Sequence, residues 1–294
     1  MFEYEPSSEV TNIVDRSGMT SKAKFYFFAS KPLVEIAEDF NSDCRRQESS
    51  NAILGCYSNK NIYIYNVNNE ELDGIEEVTA AHETLHAIWD RMSDTDRESV
   101  GVLLDKAYAK ISDENLASRM DYYERNEPGE RLNELHSILG SEYSNLGEDL
   151  ENYYSKYFTD RTIIVAFYTN YQSVFDNLKK QSDSLFSEIQ ALKTSLDAKI
   201  SQYNADITSL QNDYNSLVSS SGSVDLTSSS QVNQYNSKLN SIQARANQLD
   251  RTKSQILSDQ ETYNSKVSQY NKLVVASNDL IQSIDSTLEP SPNI

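Results

Sequence analysis

Apolar residues in the second half of the chain recur at alternating spacings of three and four, which is the pattern of helices that pack along a seam. One such run covers residues 178–217 and another covers 232–288. Between them, a serine-rich stretch at about 219–230 breaks both patterns. We therefore predict an antiparallel coiled-coil hairpin over residues 160–289, with its turn in that stretch, and a disordered tail at 290–294.

The first part of the chain, residues 1–159, has strand patterns early and helical patterns late. β-Branched and aromatic residues predict strands at 24–29, 52–57 and 61–67, and an amphipathic helix is predicted at 32–41. Helical periodicity then predicts helices over 75–92, 95–111, 114–125, 129–140 and 147–158. This order indicates an α+β domain with a small early β-sheet and a helical second half.

The helix predicted at 75–92 contains the pattern His-Glu-x-x-His, formed by His82, Glu83 and His86. Two histidines four residues apart lie on the same face of a helix, where their imidazoles can hold one Zn²⁺. Glu83 would then lie beside a zinc-bound water and act as the general base. The alternative interpretation is an amphipathic helix with two surface histidines.

A third metal ligand is expected in the helix predicted at 129–140. Asn133-Glu134-x-x-Ser137 in this segment resembles the second-helix motif of the thermolysin-like gluzincins, which are zinc metallopeptidases. The resemblance implies a zincin-like domain in which Glu134 completes the zinc site formed by His82 and His86. It also implies that the strand just before the metal helix, at 61–67, is an edge strand that can pair with an extended peptide.

The match to this motif departs from the family at one position. Gluzincins usually have an aspartate after the serine, where it bonds a zinc-binding histidine, whereas this chain has Ile138. The hydrogen-bond partner of the histidine must therefore come from elsewhere, with Glu130 or a backbone carbonyl as the candidates.

His136 is a rival for the third ligand position. It lies about 200° from Glu134 around the helix, so the two side chains do not easily face one metal ion. If His136 is not a ligand, it is an ordinary helix histidine, or it lies at the edge of the active-site cleft and donates a hydrogen bond to the oxyanion of the tetrahedral intermediate. A phenol or guanidinium can also fill the oxyanion role, for which the candidates are Tyr153, Tyr154, Tyr157 and Arg161. Our candidate catalytic residues are therefore Glu83, His136, Tyr154 and Tyr157.

Charge is distributed unevenly along the chain. The net charge is −19, of which residues 1–170 carry −16. Because such an acidic domain repels phosphates, nucleic acid is excluded as the expected partner. The sequence also has no apolar run of 18 residues and no charged-then-apolar leader, so we expect no membrane-spanning segment in it.

Cys44 and Cys56 are the two cysteines of the chain and flank a polar loop. Their spacing does not match a CxxC metal or redox motif, and it suits a disulfide that closes a short loop. A disulfide would place the protein outside the reducing cytoplasm, either secreted or at the cell surface, with an anchor beyond this chain left open. Two independent buried thiols are the alternative.

Together these patterns predict an extracytoplasmic zinc metalloendopeptidase that hydrolyses protein or peptide substrates. The alternative is a coiled-coil interaction or adhesion protein whose zincin-like domain has little or no catalytic activity. In either case the hairpin is expected to act as a spacer, or to bind a protein partner or a second copy of itself.

Overall fold

The computed structural model describes residues 4–44 and 52–288. The tail prediction for 290–294 lies outside these residues. The described chain is mostly helical with one small early sheet, which confirms these two coarse features of the predicted fold. The elements before the His-Glu-x-x-His motif are α1 (Ser8–Arg16), α2 (Ser21–Ala29), β1 (Leu33–Glu35), α3 (Ala37–Asp43), β2 (Gly55–Ser58) and β3 (Asn61–Tyr65).

Helices form most of the remaining chain. They are α4 (Ile75–Asp90), α5 (Asp94–Tyr108), α6 (Glu114–Asn126), α7 (Arg131–Glu142), α8 (Glu148–Tyr154), α9 (Thr162–Ser220) and α10 (Ser229–Ile284). Short 3₁₀ turns occur at Glu70–Leu72 and Ser221–Ser223. In the part of the chain that the structure describes, none of the helices is both long and apolar enough to cross a bilayer.

The strand predicted at 24–29 is wrong, because this segment lies in helix α2. Thr20 caps the helix by accepting a hydrogen bond from the Ala23 amide, and Ala23 and Phe27 both point into the core. A short apolar run does not distinguish a buried helix from a strand, and here the cap decides. The helix predicted at 32–41 is also wrong at its start, where β1 forms before α3 begins at Ala37.

The sheet has the strand order β1-β3-β2. β3 pairs with β1 in parallel and with β2 in antiparallel orientation, and a two-residue turn at Asn59 and Lys60, both with positive φ, joins β2 to β3. The segment 61–67 was expected to be the edge strand, and this is wrong because its strand, β3, is central. Among the described strands, β2 lies at an edge.

Helix α4 lies at the centre of the first domain and is buried along most of its length. It packs against α1, α2, β2, β3 and α7. Gly140 allows α7 to approach closely, since a Cβ atom there would lie 2.4 Å from Cδ1 of Leu85 and 2.8 Å from Cε1 of Tyr154. This contact holds the helix with the Asn133-Glu134 motif against the helix with the two histidines.

A disulfide joins Cys44, at the end of α3, to Cys56 in β2. The Cα atoms are 5.9 Å apart, within the normal range for a disulfide. The covalent link ties the edge strand to the helix that follows β1.

The described chain divides into two compact units. Residues 178–276 form one unit, and the remaining residues form the other, to which the end of α10 also belongs. In the unit to which the end of α10 belongs, Leu280 is buried, and Asn41 exchanges hydrogen bonds of 2.7 and 2.6 Å with Ser286.

Within residues 178–276, helices α9 and α10 run antiparallel. Three ion pairs show the direction, because their positions rise along α9 as they fall along α10. These pairs are Glu188–Lys266, Lys199–Asp259 and Asp213–Arg245.

Candidate metal centre

The two histidines of α4 converge on one carboxylate of α7. The Nε2 atoms of His82 and His86 lie 3.1 Å apart. The Glu134 carboxylate oxygens lie 3.6 Å from Nε2 of His86 and 3.9 Å from Nε2 of His82. These three side chains form a group that could hold a metal ion.

The three side chains are almost as close together as the ligands of a small tetrahedral site. At metal–ligand distances of about 2.0–2.2 Å, the ligand atoms of a tetrahedral zinc site lie about 3.3–3.6 Å from one another. The two Nε2 atoms lie 3.1 Å apart, and the 3.6 and 3.9 Å distances run from them to the two different oxygens of Glu134. One ligand atom from each residue lies within 4.8 Å of the others, so binding through a single oxygen requires the Glu134 carboxylate to move closer to the two imidazoles.

Asn133 determines which nitrogen of His86 faces this group. Its Oδ1 atom lies 2.9 Å from Nδ1 of His86, and its Nδ2 atom donates a 2.8 Å hydrogen bond to Glu130. Since Glu130 fixes the orientation of the amide, the oxygen faces the imidazole and accepts the Nδ1 hydrogen. This arrangement leaves a lone pair on Nε2, as a metal ligand requires.

His82 has a matching partner in Ser141. The Ser141 hydroxyl donates to the carbonyl of Ser137 at 2.8 Å, so its oxygen is an acceptor for Nδ1 of His82, 3.4 Å away. Both histidines thus direct Nε2 inward. The hydrogen-bond partner of a metal-binding histidine was expected to be Glu130 or a backbone carbonyl. The partner of His86 is instead Asn133, which Glu130 orients, and the partner of His82 is Ser141.

The buried surroundings shift the pKa values of all three groups. Burial lowers the pKa of His82 well below its usual value, and repulsion from His86 adds to this shift. Burial also opposes a charge on His86, yet attraction from Glu134 and Glu83 raises its pKa overall. Burial raises the pKa of Glu134. A bound divalent cation would attract the Glu134 carboxylate and so stabilise its charged form.

Glu83 is nearly inaccessible to solvent and lies between the two histidines in sequence. Burial raises its pKa to about 7; attraction to His86 and a hydrogen bond from the Tyr57 amide lower it, while repulsion from Glu134 raises it. The Tyr57 amide reaches Glu83 because Gly55 allows β2 to approach α4. A Cβ atom at Gly55 would lie 2.4 Å from Cγ2 of Thr79 and 3.0 Å from the Glu83 side chain.

A cavity of about 870 Å³ opens onto these residues. Residues 52–57, which include the first three residues of β2, line one side of it. Arg119 and Tyr123, one turn apart on α6, line another side. The cavity therefore places the half-buried strand β2 and two further polar side chains next to the candidate metal ligands.

Arg119 and Tyr123 both act on the site electrostatically. The Tyr123 hydroxyl donates a hydrogen bond to the Glu134 carboxylate. Arg119 forms a two-pronged ion pair with Glu142, at 2.6 and 3.0 Å, and Glu142 also accepts a hydrogen bond from Tyr168. Despite burial, the Glu142 charge raises the pKa of Arg119, whose positive charge in turn lowers the pKa of both His82 and Glu134.

The structure does not bring His136, Tyr154 or Tyr157 to this cavity. His136 is fully buried, its Nε2 atom lies 2.8 Å from the Tyr153 hydroxyl, and its ring stacks on Tyr154. The Tyr154 hydroxyl donates to the carbonyl of His136, and Tyr157 is buried against Tyr153. These residues form an aromatic core behind α7, which is why none of them lines the cavity.

Arg161 also has a structural position. It pairs with Glu151, and its Nη1 atom donates to the carbonyls of Leu139, Gly140 and Tyr143. These carbonyls belong to the last turn of α7 and the residue after it, where a helix leaves its acceptors unsatisfied. Arg161 therefore caps the helix that carries Glu134.

Sequence reasoning missed Arg119, Tyr123 and Ser141. Ser141 follows Glu134 by seven residues, which is two helical turns on the same face, and this spacing could have identified it. Arg119 and Tyr123 share a face of α6 in the same way, but only the tertiary packing shows which cavity that face lines. Comparisons of the chain with protein-family models, curated proteins and solved structures found no match.

Proposed function

We propose that this protein is a zinc-dependent metallopeptidase. The observation that carries the proposal is the convergence of two inward-facing imidazole nitrogens and the Glu134 carboxylate beside the buried Glu83. Two imidazoles and one carboxylate are a ligand set that Zn²⁺ prefers. The resemblance of both helix motifs to those of the gluzincins supports the same assignment.

His82, His86 and Glu134 would hold the ion, and Asn133 and Ser141 would orient the two imidazoles. Bound there, zinc supplies Lewis acidity, which lowers the pKa of water and polarises a carbonyl. Glu83 takes a proton from the attacking water and passes it to the leaving amine. Its raised pKa suits both directions of that transfer near neutral pH.

Tyr123 is the residue that we assign to stabilising the oxyanion. Its hydroxyl already hydrogen bonds to Glu134, so it lies within reach of an oxygen that reacts next to that carboxylate. Arg119, held by its ion pair with Glu142, adds a fixed positive charge on the same side of the cavity. These two residues take the place of the tyrosines and Arg161 that the sequence suggested.

We assign the binding of the peptide backbone to β2. The Tyr65 amide donates to the carbonyl of Leu54, so Leu54 is a bonded position of the antiparallel ladder. Gly55 and Tyr57 are the alternate positions, and their backbone polar groups point away from β3. The Tyr57 amide already donates to Glu83, so we assign pairing with an extended peptide to the outward-pointing groups of Gly55 and to the Tyr57 carbonyl.

We also propose that the protein works outside the reducing cytoplasm. The disulfide between Cys44 and Cys56 supports this location, because structural disulfides persist in oxidising compartments.

The substitution Glu83→Gln tests the proposed function. It should keep the fold and about one zinc per chain, and it should lower hydrolysis of a peptide library by several orders of magnitude. Glu38→Gln is a matched control on the exposed face of α3 and should retain wild-type activity. If the wild type binds zinc but cleaves no peptide, the alternative of an interaction protein with a non-catalytic metal centre replaces the proposal.

A further inference from the structure

The two sides of the antiparallel hairpin at residues 178–276 differ in character. In a heptad written abcdefg, the a and d residues form the seam between two helices, with e beside a and g beside d. When two helices run antiparallel, their g positions face each other on one side of the pair and their e positions face each other on the other side. Lys199 and Asp213 are g positions of α9, and they form ion pairs with the g positions Asp259 and Arg245 of α10. One side of the hairpin is thus closed by ion pairs.

Apolar side chains are exposed on the opposite side. Ile200, Ile207 and Tyr214 follow one another at intervals of seven residues on α9 and are 38%, 41% and 49% exposed. Leu239 and Val274, five heptads apart on α10, are 42% and 38% exposed. The heptad pattern predicts that all five lie in the seam, but each is more than one third exposed, so the neighbouring helix covers this row only in part.

We define the open flank by its exposed apolar residues on this side. These residues are Phe186, Ile200, Ile207, Tyr214, Val218, Leu239, Leu257 and Val274. A row of this length matches the apolar face that a helix shows to a bundle neighbour, whereas single exposed apolar residues are normal on a protein surface.

Most of the polar residues beside the open flank are uncharged amides, and the charged ones are Lys179, Lys193 and Asp250. The amides are Asn204, Gln211, Asn236, Gln243, Asn264 and Asn271. Residues 178–276 as a whole contain ten Lys/Arg and nine Asp/Glu, a net charge of +1, while the rest of the chain carries −20. Two copies of this acidic protein can therefore meet through the hairpin with little repulsion.

We propose that the open flank is a homodimer interface and that its occupant is the open flank of a second copy. Two hairpins related by a twofold axis would form a four-helix bundle with the exposed heptad row in its core. Amides bordering such a core can pair with amides of the partner, since each group both donates and accepts hydrogen bonds.

Sedimentation velocity of the full-length chain, from low to high micromolar concentration, tests the proposal. The wild type should sediment as a dimer of the 33.4 kDa chain. The double substitution Ile207→Asn with Leu239→Asn should raise the dimer dissociation constant at least about tenfold, because both copies carry each substitution at a twofold interface. Since both side chains are already exposed, the helical circular dichroism of the variant should match that of the wild type.

Phe25→Asn with Val102→Asn is the matched control, because these apolar residues are 67% and 65% exposed on the other unit. This control should remain dimeric, and raised salt should not dissociate the wild-type dimer, since ion pairs do not hold the proposed interface. A wild type that is monomeric throughout the concentration range overturns the proposal. So does a dimer that survives the double substitution or dissociates in salt.

Discussion

Oδ1 of Asn133 lies 2.9 Å from Nδ1 of His86, and this hydrogen bond directs the other nitrogen of the ring toward Glu134. Asn133 and Glu134 are adjacent on α7, so one turn of helix supplies both a ligand and the group that orients another ligand. Because the Asn133 amide is itself held by Glu130, the orientation of His86 depends on a chain of three polar side chains.

Replacing Asn133 tests this chain. Asn133→Ala should lower zinc affinity about 10- to 100-fold, because His86 loses the acceptor that fixes its tautomer. Asn133→Asp keeps an acceptor and should restore most of the affinity. Competition with a chromophoric chelator measures both constants. Equal affinity in the wild type and Asn133→Ala would show that the hydrogen bond does not orient the ligand.

Replacing Tyr123 separates binding from chemistry. Tyr123→Phe should leave zinc content unchanged and lower kcat about 10²- to 10³-fold, as expected for loss of one oxyanion donor. Tyr157→Phe removes a hydroxyl from the aromatic core, away from the cavity, and should leave kcat near the wild-type value. A similar kcat in Tyr123→Phe and the wild type would remove Tyr123 from the mechanism.

Gly55 tests the close approach of β2 to α4. Gly55→Ala should lower activity and thermal stability, because the new Cβ atom would clash with Cγ2 of Thr79 and crowd Glu83. Adding Thr79→Ser removes that methyl group and should restore part of both. The control Gly222→Ala meets no atom within 4 Å and should be neutral. Thermal unfolding and peptide hydrolysis provide the readouts, and a neutral Gly55→Ala contradicts the argument.

Ionisation of Glu35 should lower the free energy of unfolding of the protein as the pH rises. Burial raises its pKa from 4.5 to about 7, and repulsion from Asp43 and Asp39 adds to the shift. The folded state therefore binds the Glu35 proton more tightly than the unfolded state does. Its contribution to stability is fully present below pH 4.5 and is lost as pH rises to about 7.

Glu35→Gln keeps the shape of the neutral acid and removes this dependence. Urea unfolding should show the variant more stable than the wild type at pH 8 and nearly equal to it at pH 4. Glu38→Gln, on an exposed neighbouring position, should show no such difference. A wild type that is the more stable protein at pH 8 would contradict the assignment.

The parts of the site that follow helical spacing could be predicted from the sequence. His82, Glu83 and His86 share one helix, and Glu134 lies in a motif of its own. The segment 24–29 could not be assigned by its pattern, because a six-residue apolar run suits a helix or a strand equally well. Which strand lies at the sheet edge depends on sheet order, and the core position of His136 depends on how α7 packs against α8 and α4. Neither is encoded in local periodicity.

The zinc content of protein purified without added metal tests the central claim most directly. Mass spectrometry should find about one zinc per chain in the wild type and in His136→Gln, where the third ligand is untouched, and almost none in Glu134→Ala. Zinc-free wild-type protein, or a Glu134→Ala variant that keeps a full zinc complement, would contradict the metal centre formed by His82, His86 and Glu134.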